Sequence, residues 1–298
     1  MKHKILITLF VASVSITHAQ QLQTSSMYEL QGIIHNPSVA GTQNNNLVGV
    51  SYRSQWSGIS GSPKTATVFG SFAMPKYKIG VGGTIYQDKT GPTSRTGISL
   101  SLAKHIVGNK GTFSLGIENR LQQYAIDKGK LSESLGNDPV LGASDNRFKY
   151  DAGFGISYTT KKYQIGASVS QLIQSKLDFY SGNLTRDEKA RLYRHYYFNG
   201  HYNWQVDGST VITPNALFIY LPNAPLSYQL GVRVEFNKLF WFGGGYRSHQ
   251  SYMLSAGLNL GSKLTIGYAF DNYITPISNF DNGANAHEFL LRYNFAKK

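Results

Sequence analysis

The sequence predicts an all-β fold, a transmembrane antiparallel β-barrel of about fourteen strands, on three observations. Strand-length segments alternate apolar side chains with small or polar ones, and they run about 9 to 13 residues, enough for a tilted span of ~9–11. Their connections alternate between very short turns and mostly longer loops. Aromatic residues lie near the strand ends, where the two membrane–water interfaces of a barrel would be.

The first segment, Met1–Ala19, has the order of a secretory signal peptide. Two lysines precede the apolar run Ile5–Ile16, and a small-x-small cleavage site ends at Ala19. The apolar run is too short to span a membrane as a helix. We therefore expect the mature chain to begin near Gln20, beyond the inner membrane.

Residues Gln20–Asn46 have no strand periodicity. Such a stretch ahead of a barrel forms either a periplasmic tail or a plug folded back into the lumen, and the sequence leaves both placements open. The barrel itself takes residues 47–298. No repeat beyond the hairpin rhythm and no low-complexity linker divides it, so a single barrel domain is the economical interpretation.

The polar faces of the predicted strands favour a water-filled lumen. In the segment Leu226–Phe236 one face is apolar, while the other carries Gln229, Arg233 and Glu235. Such a face cannot lie in a dry core unless every charge has a partner. A soluble sandwich with one solvated face would show the same alternation. The strand lengths and the aromatic strand ends favour the barrel.

The same alternation sets the bounds of the individual strands and of two aromatic girdles. The predicted strands are Leu47–Trp56, Lys64–Ala73, Lys78–Gln87, Arg95–Ile106, Thr112–Tyr124, Tyr150–Thr159, Tyr163–Leu172, His195–Gln205, Ser209–Tyr220, Leu226–Phe236, Leu239–Tyr246, Tyr252–Leu260, Lys263–Asp271 and Ala286–Phe295. The predicted girdle residues are Trp56, Tyr86, Tyr158, Tyr220, Trp241, Tyr246, Tyr268 and Phe295.

With both termini on the periplasmic side, every short turn is periplasmic and every long loop external. The predicted short turns are Met74–Tyr77, Val107–Gly111, Thr159–Lys162, Val206–Gly208, Asn237–Lys238 and Gly261–Ser262. The predicted external loops are Ser57–Pro63, Asp88–Ser94, Ala125–Lys149, Ile173–Arg194, Leu221–Pro225, Arg247–Ser251 and Asn272–Asn285. Loops on a rigid scaffold commonly carry recognition.

Composition excludes several classes of function. The chain has no Cys, which removes disulfides, thiolate metal sites and a lipoprotein anchor. Its net charge of +13 would suit nucleic acid, but the basic residues are scattered through turns and loops and form no stripe. We therefore expect no nucleic-acid partner, and we interpret the positive loops as facing anionic outer-membrane lipid.

No constellation of residues points to catalysis, to a cofactor or to a metal. The candidate bases His105, His195, His201, His249 and His287 accompany no nucleophile turn of the Gly-x-Ser-x-Gly type. The acidic loop residues have no calcium-loop spacing. The glycine runs at residues 80–83 and 243–245 lie within strands and precede no helix, so close backbone packing or strand bending explains them better than a phosphate cradle.

Four distinct motifs follow one another along the chain. They are Asn36-Pro37-Ser38-Val39-Ala40-Gly41-Thr42, Tyr52-Arg53-Ser54-Gln55-Trp56, Gly80–Gly83 with Asp88-Lys89-Thr90-Gly91-Pro92, and His287-Glu288. In this order, and over nearly the whole mature chain, the sequence resembles the PorP/SprF family of outer-membrane proteins of the type IX secretion system, some of which are coupled to gliding motility.

The resemblance implies a partner and no reaction. Members of that family assist export or surface retention of adhesin-type proteins through the cargo's C-terminal domain, and they are linked to periplasmic and outer-membrane components of the secretion machine. We therefore expect a non-enzymatic protein of the outer membrane. Its candidate partner-binding residues are Asn36, Pro37, Gly41, Arg53, Gln55, Trp56, Asp88, Gly91, Pro92, His287 and Glu288.

Three alternatives compete with this interpretation. A barrel with a polar inner face could be a diffusion or uptake channel for small solutes. A soluble, secreted β-rich adhesin fits the strand lengths and aromatic ends less well. An outer-membrane hydrolase lacks an activated nucleophile.

Overall fold

The fold is a closed antiparallel β-barrel. A computed structural model of the chain describes residues 24–42, 46–130, 145–176, 191–222, 224–261, 263–274 and 285–295. Except at one interrupted strand, each strand pairs with the next along the chain, and the last pairs with the first. The strands are β1 Leu47–Ser54, β2 Lys64–Met74, β3 Ile79–Thr90, β4 Thr93–Val107, β5 Thr112–Ile126, β6 Asp145–Thr159, β7 Tyr163–Ser170, β8 His195–Tyr202, β9 Trp204–Gln205, β10 Thr210–Tyr220, β11 Ser227–Phe236, β12 Phe240–Arg247, β13 Ser251–Leu260, β14 Leu264–Tyr273 and β15 Asn285–Asn294.

Within these described ranges, β8 and the two-residue β9 are parts of one strand interrupted at Asn203, and both pair with β10. The barrel therefore has fourteen strands, as the sequence predicts. None of the helices in the described ranges is both long and apolar enough to cross a membrane.

Alternation along each strand separates an apolar outer surface from a polar interior. In β1 the outward side chains of Val48, Val50 and Tyr52 are exposed, whereas Ser51 and Arg53 are buried. Successive side chains of a strand point to opposite faces, so one strand serves lipid and lumen at once. The exposed large hydrophobic residues are the lipid-facing surface of this barrel.

The two ends of the barrel differ in their connections. At one end, the short-turn end, strands are joined at residues 75–78, 108–111, 160–162, 206–209, 237–239 and 261–263. The turn between β11 and β12 places both Asn237 and Lys238 at positive φ, as tight hairpins require. In the turn after β9, hydrogen bonds from Ser209 and Thr210 lower the pKa of Asp207 to about 2.

The opposite end, the long-loop end, has walls of unequal height. Strands β4, β5 and β6 each contain 15 residues, while β1, β8 and β12 contain 8. β6 begins earlier than its predicted start at Tyr150, because residues 145–149 pair with residues 122–126 of β5. The third external loop is correspondingly shorter than predicted.

Two of the predicted girdle residues are misplaced. Tyr86 and Trp241 do not lie in a lipid-facing girdle but inside the barrel, where they are 4% and 1% exposed. Tyr86 donates a hydrogen bond to Gln122, and Trp241 fills the space left by Gly257 on the neighbouring strand β13. The predicted end of the first strand at Trp56 is also wrong, since β1 ends at Ser54 and Trp56 has a φ of 52°, which is not extended backbone.

Candidate functional site: the lumen segment and the external rim

Residues 24–42, which we call the lumen segment, lie inside the barrel. Ser26 is at the long-loop end, where its hydroxyl donates to Asp271 near the end of β14. Gly41 is at the short-turn end, where its N–H donates to Ser71 of β2. β1 then begins at Leu47. The chain therefore runs through the lumen from the long-loop end to the short-turn end and returns toward the long-loop end as β1.

Three short 3-10 helices give the lumen segment its compact course. They are Tyr28–Leu30, Gly32–Ile34 and Pro37–Val39. The third begins at Pro37, whose fixed φ suits a first helical position. The Asn36 side chain caps it by accepting from the Ser38 N–H at 3.0 Å. The Asn-Pro-Ser motif therefore encodes a helix start.

The end of the lumen segment near Ser26, which we call its upper end, is held by an ion cluster of four buried side chains. These are Arg53, Arg247, Asp271 and Glu288, each no more than 3% exposed. Asp271 accepts from Arg53 at 2.6 Å and from Arg247 at 2.8 Å, while Glu288 accepts from Arg53 at 3.2 Å. Two positive and two negative charges balance, which a buried cluster requires.

Two serines of the lumen segment complete the ion cluster. The Ser25 hydroxyl donates to Glu288 Oε1 at 2.5 Å and the Ser26 N–H to Glu288 Oε2 at 2.7 Å. The Ser26 hydroxyl donates to Asp271 and accepts from both arginines. Because hydrogen bonds to ionised groups are stronger than neutral ones, this end is tied by charge.

The end of the lumen segment between Asn36 and Gly41, which we call its lower end, is held by neutral hydrogen bonds and fits against glycines of the wall. The Asn36 amide donates to the Ile156 carbonyl at 3.1 Å, and the Ser38 hydroxyl donates to Asn36 and contacts Ser157 at 2.8 Å. A Cβ added at Gly116 would overlap the backbone of residues 37 and 38, and one added at Gly155 would overlap the Asn36 amide. Glycine on the inner face lets the segment lie directly on the wall.

An apolar cluster fills the lumen between these two ends. Met27, Leu30 and Ile33 of the lumen segment pack with Phe69, Trp241 and other buried residues of the wall. Met27 is fully buried. The interior of the barrel therefore includes apolar contacts beside its polar ones, and they favour the seated position of the lumen segment through the hydrophobic effect.

A second arrangement, the external rim patch, consists of Gln55, Trp56, Asp88, Gly91 and Pro92. The loop after β1 and the β3–β4 hairpin meet where the Gly91 N–H donates to the Gly61 carbonyl at 2.7 Å. The Asp127 N–H donates to the Pro92 carbonyl, and the Ser57 N–H to the Asn285 carbonyl. Backbone hydrogen bonds thus join the β1–β2, β3–β4, β5–β6 and β14–β15 connections into one surface.

The structure divides the eleven candidate residues between four places. Asn36, Pro37 and Gly41 belong to the buried lumen segment, and Arg53 and Glu288 to the ion cluster. The external rim patch holds five more. His287 points outward from β15, where its ring nitrogen Nδ1 is 2.7 Å from the Tyr268 hydroxyl.

Sequence reasoning missed Ser25, Ser26, Arg247 and Asp271. The last two lie at strand ends where the alternation is least clear, and the serines precede any motif. The inward glycines of β5 and β6 were a usable signal, because glycines side by side on neighbouring strands indicate a close backbone approach. Within the residues that the structure describes, no group of three or more His, Asp or Glu could hold a metal ion.

Solved structures similar to this chain are outer-membrane barrels. The toluene transporter TbuX of Ralstonia pickettii has a TM-score of 0.52 and 12% identity, with 90% of this chain and 93% of that chain covered. A FadL homologue of Pseudomonas aeruginosa has a TM-score of 0.52 and 11% identity over 88% and 93%. The CymD monoaromatic hydrocarbon channel has a TM-score of 0.51 and 11% identity over 89% and 91%. These likenesses show the fold alone.

A search of curated protein sequences found no significant match. A family model described as type IX secretion system membrane protein PorP/SprF matches residues 17–293, nearly the whole chain. Together with the closed barrel, this match places the protein in the outer membrane. The chain belongs to the PorP/SprF family of type IX secretion system membrane proteins.

Proposed function

We propose that this protein is a docking barrel of the type IX secretion system, which assists export or surface retention of adhesin-type cargo by binding the cargo's C-terminal domain at its external rim. The occupied lumen carries this proposal. A segment tied to the wall at both ends leaves the rims as the surfaces that a protein partner can reach. No step of chemistry is needed for this role.

The external rim patch is the proposed contact surface. Backbone hydrogen bonds connect its loops to one another, so the loops lose little further conformational entropy on binding. The Asp88 carboxylate is held by the Thr65 hydroxyl at 2.6 Å, which fixes one charge on this surface. Trp56 offers a large aromatic side chain of the kind enriched at binding hot spots.

The buried candidates have a supporting role in this proposal. Asn36, Pro37 and Gly41 seat the lumen segment, and Arg53 and Glu288 hold its upper end. Periplasmic and outer-membrane components of the machine would meet the short-turn end, and a link to gliding motility would run through the same contacts. His287 faces outward beside Tyr268, with the two ring centroids 6.1 Å apart, and is proposed as a contact on the outer face of the barrel.

Deletion of the gene tests the role in the cell. We expect the adhesin to be absent from the cell surface while other type IX cargo still leaves the cell, because the proposed contact is with one class of cargo. Surface labelling with antibody and mass spectrometry of the culture medium measure the two quantities. Normal amounts of adhesin at the surface would contradict the proposal.

A matched pair of tryptophan variants tests the rim. Trp56→Ala removes the aromatic side chain of the external rim patch, whereas Trp204→Ala removes an exposed one at the opposite, short-turn end. With equal amounts of protein in the outer membrane, we expect only Trp56→Ala to reduce surface adhesin and to weaken co-purification of its C-terminal domain. Equal effects of the two variants would remove the rim from the proposal.

The competing function is a channel for small solutes, which the similarity of the fold to transport barrels makes worth testing. Planar-bilayer conductance of the purified protein separates the two. We expect no steady openings, because residues 24–42 occupy the lumen from one end to the other. Steady ion-conducting openings of the unmodified protein would favour the channel.

A further inference from the structure

A cavity of about 320 Å³ lies in the lumen beside the lumen segment. Thr160 and Asn203 form part of its lining at the short-turn end, where the Asn203 N–H donates to Lys162 of the turn. The cavity therefore lies in the periplasmic half of the barrel. It could hold about ten water molecules or the end of a peptide, and it is too small for a folded domain.

The charges around this cavity are unequally paired. Arg233 and Arg292 line it together with a single carboxylate, that of Glu29. Arg233 is paired twice, with Glu29 at 3.5 Å and with Glu235 at 3.1 Å. Among the described residues no carboxylate lies within 4 Å of Arg292, whose guanidinium donates only to the Leu30 carbonyl at 3.2 Å. Glu29 and Glu235 attract Arg292 only from beyond 4 Å, and Arg233 repels it. A bound anionic group would therefore be its first directly hydrogen-bonded counter-charge.

Buried hydrogen-bonding groups without described partners line the same cavity. The Tyr28 hydroxyl and His35 Nε2 belong to side chains only 3% and 7% exposed, and Arg292 Nε is likewise unpartnered. The rings of Tyr28 and His35 are 6.4 Å apart. Buried polar groups are normally satisfied, so these groups are available to water or to a bound ligand.

We propose that this cavity binds a peptide carboxylate presented from the periplasm, with Arg292 as its charge partner and Tyr28 and His35 as hydrogen-bond donors. The carboxylate belongs either to the C-terminus of an extended chain or to an acidic side chain. This site is separate from the external rim patch, and its test is independent of the docking function proposed above.

Calorimetric titration of the full mature protein in detergent tests the site with three probes. They are acetyl-triglycine with a free carboxylate, acetyl-triglycine amide, and acetyl-Gly-Asp-Gly amide. We expect saturable binding of the first probe, at least about tenfold tighter than that of its amide. Binding of the third probe assigns the carboxylate to side chains as well, and its failure assigns it to chain ends; either result supports a carboxylate site when the first probe binds.

Equal affinity for the free acid and its amide, or no saturable binding of either carboxylate probe, would overturn the proposal. Arg292→Gln is expected to weaken binding of acetyl-triglycine by about tenfold or more, in line with the loss of a charged hydrogen bond. Arg194→Gln is the matched control, because Arg194 also donates to a backbone carbonyl, that of Leu172, but at the long-loop end.

A second variant separates loss of the site from movement of the lumen segment. Gly32 lines the cavity, and a Cβ added there meets only Val39, at 3.5 Å. Gly32→Leu should therefore fill the cavity and abolish binding, while both arginines and the melting temperature stay unchanged. Unaltered binding by folded Gly32→Leu protein would show that the probe binds elsewhere and would overturn the assignment.

Discussion

The two ends of the lumen segment are fixed to the barrel by different physics. At the upper end, two serines join an ion cluster in which every long side chain is buried and paired. At the lower end, Asn36 and Ser38 make neutral hydrogen bonds, and glycines of the wall let backbone meet backbone. One end is specified by charge and the other by shape.

This difference teaches where each end is vulnerable. A buried ion pair gains little net stability over apolar packing, but removal of one partner leaves the other charge buried and alone. The close-packed contact at the lower end is insensitive to charge, but a methyl group added to a wall glycine there would overlap the lumen segment. Substitutions that are conservative at one end should therefore be severe at the other.

The largest effect is expected from Asp271→Asn in the ion cluster. This change keeps the shape but leaves Arg53 and Arg247 with one carboxylate between them. Breaking a buried pair costs about 3–5 kcal/mol, so we expect a large drop in the melting temperature and protease access to the N-terminal segment. Circular dichroism during heating and limited proteolysis in detergent measure the two.

The same substitution at the rim is the control. Asp88→Asn removes a carboxylate that is 4.0 Å from Arg95 and partly exposed to solvent. Exposed pairs contribute about 0–1 kcal/mol, and the Thr65 hydroxyl can bond to an amide oxygen as well. Similar losses of stability in Asp271→Asn and Asp88→Asn would show that the ion cluster does not depend on its burial.

A smaller effect is expected from Gly116→Val at the lower end. The new side chain would overlap the backbone of residues 37 and 38, and overpacking of this kind costs about 1–3 kcal/mol or displaces the lumen segment. Displacement would appear as ion conductance in planar bilayers. Gly208→Val is the control, because a Cβ at Gly208 meets nothing within 4 Å. A silent, fully stable Gly116→Val protein would mean that the seat tolerates a bulky side chain.

The smallest of these effects is expected from Asn36→Ala. It removes a helix cap and the bond to the Ile156 carbonyl, a loss of about 0.5–2 kcal/mol. Because the two ends share no side-chain partners, the losses in Asn36→Ala and Asp271→Asn should add in the double variant. A clear departure from additivity in thermal unfolding would show that the two ends act as one unit.

The wall of the barrel could be predicted from the sequence because its signal is local. Alternation within β11 or β5 identifies both faces without knowledge of any other strand, and the predicted bounds differ from the observed ones by only a few residues. Tyr86 and Trp241 were misplaced because an aromatic ring near a strand end suits a lipid interface and a filled interior equally.

The course of the lumen segment could not be predicted in the same way. Its contacts join residues far apart in sequence, such as Ser38 with Ser157 and Ser26 with Asp271. No periodicity in residues 24–42 reveals which strands they meet, and the motif around Asn36 indicates a turn in any protein. Only the shared inner-face glycines of β5 and β6 indicated a partner.

The ion cluster lies across the seam where the barrel closes. Arg53 on β1 bonds to Asp271 on β14, 218 residues away, and to Glu288 on β15, which pairs with β1. Contacts of such long sequence separation form slowly, so they belong to the last stage of folding. Ser25 and Ser26 bind these same groups, so the N-terminal segment and the closing strands share one set of buried charges. Closure of the wall and seating of the lumen segment should therefore stabilise each other, and a barrel that lacks the segment should be weakest at the pairing of β1 with β15.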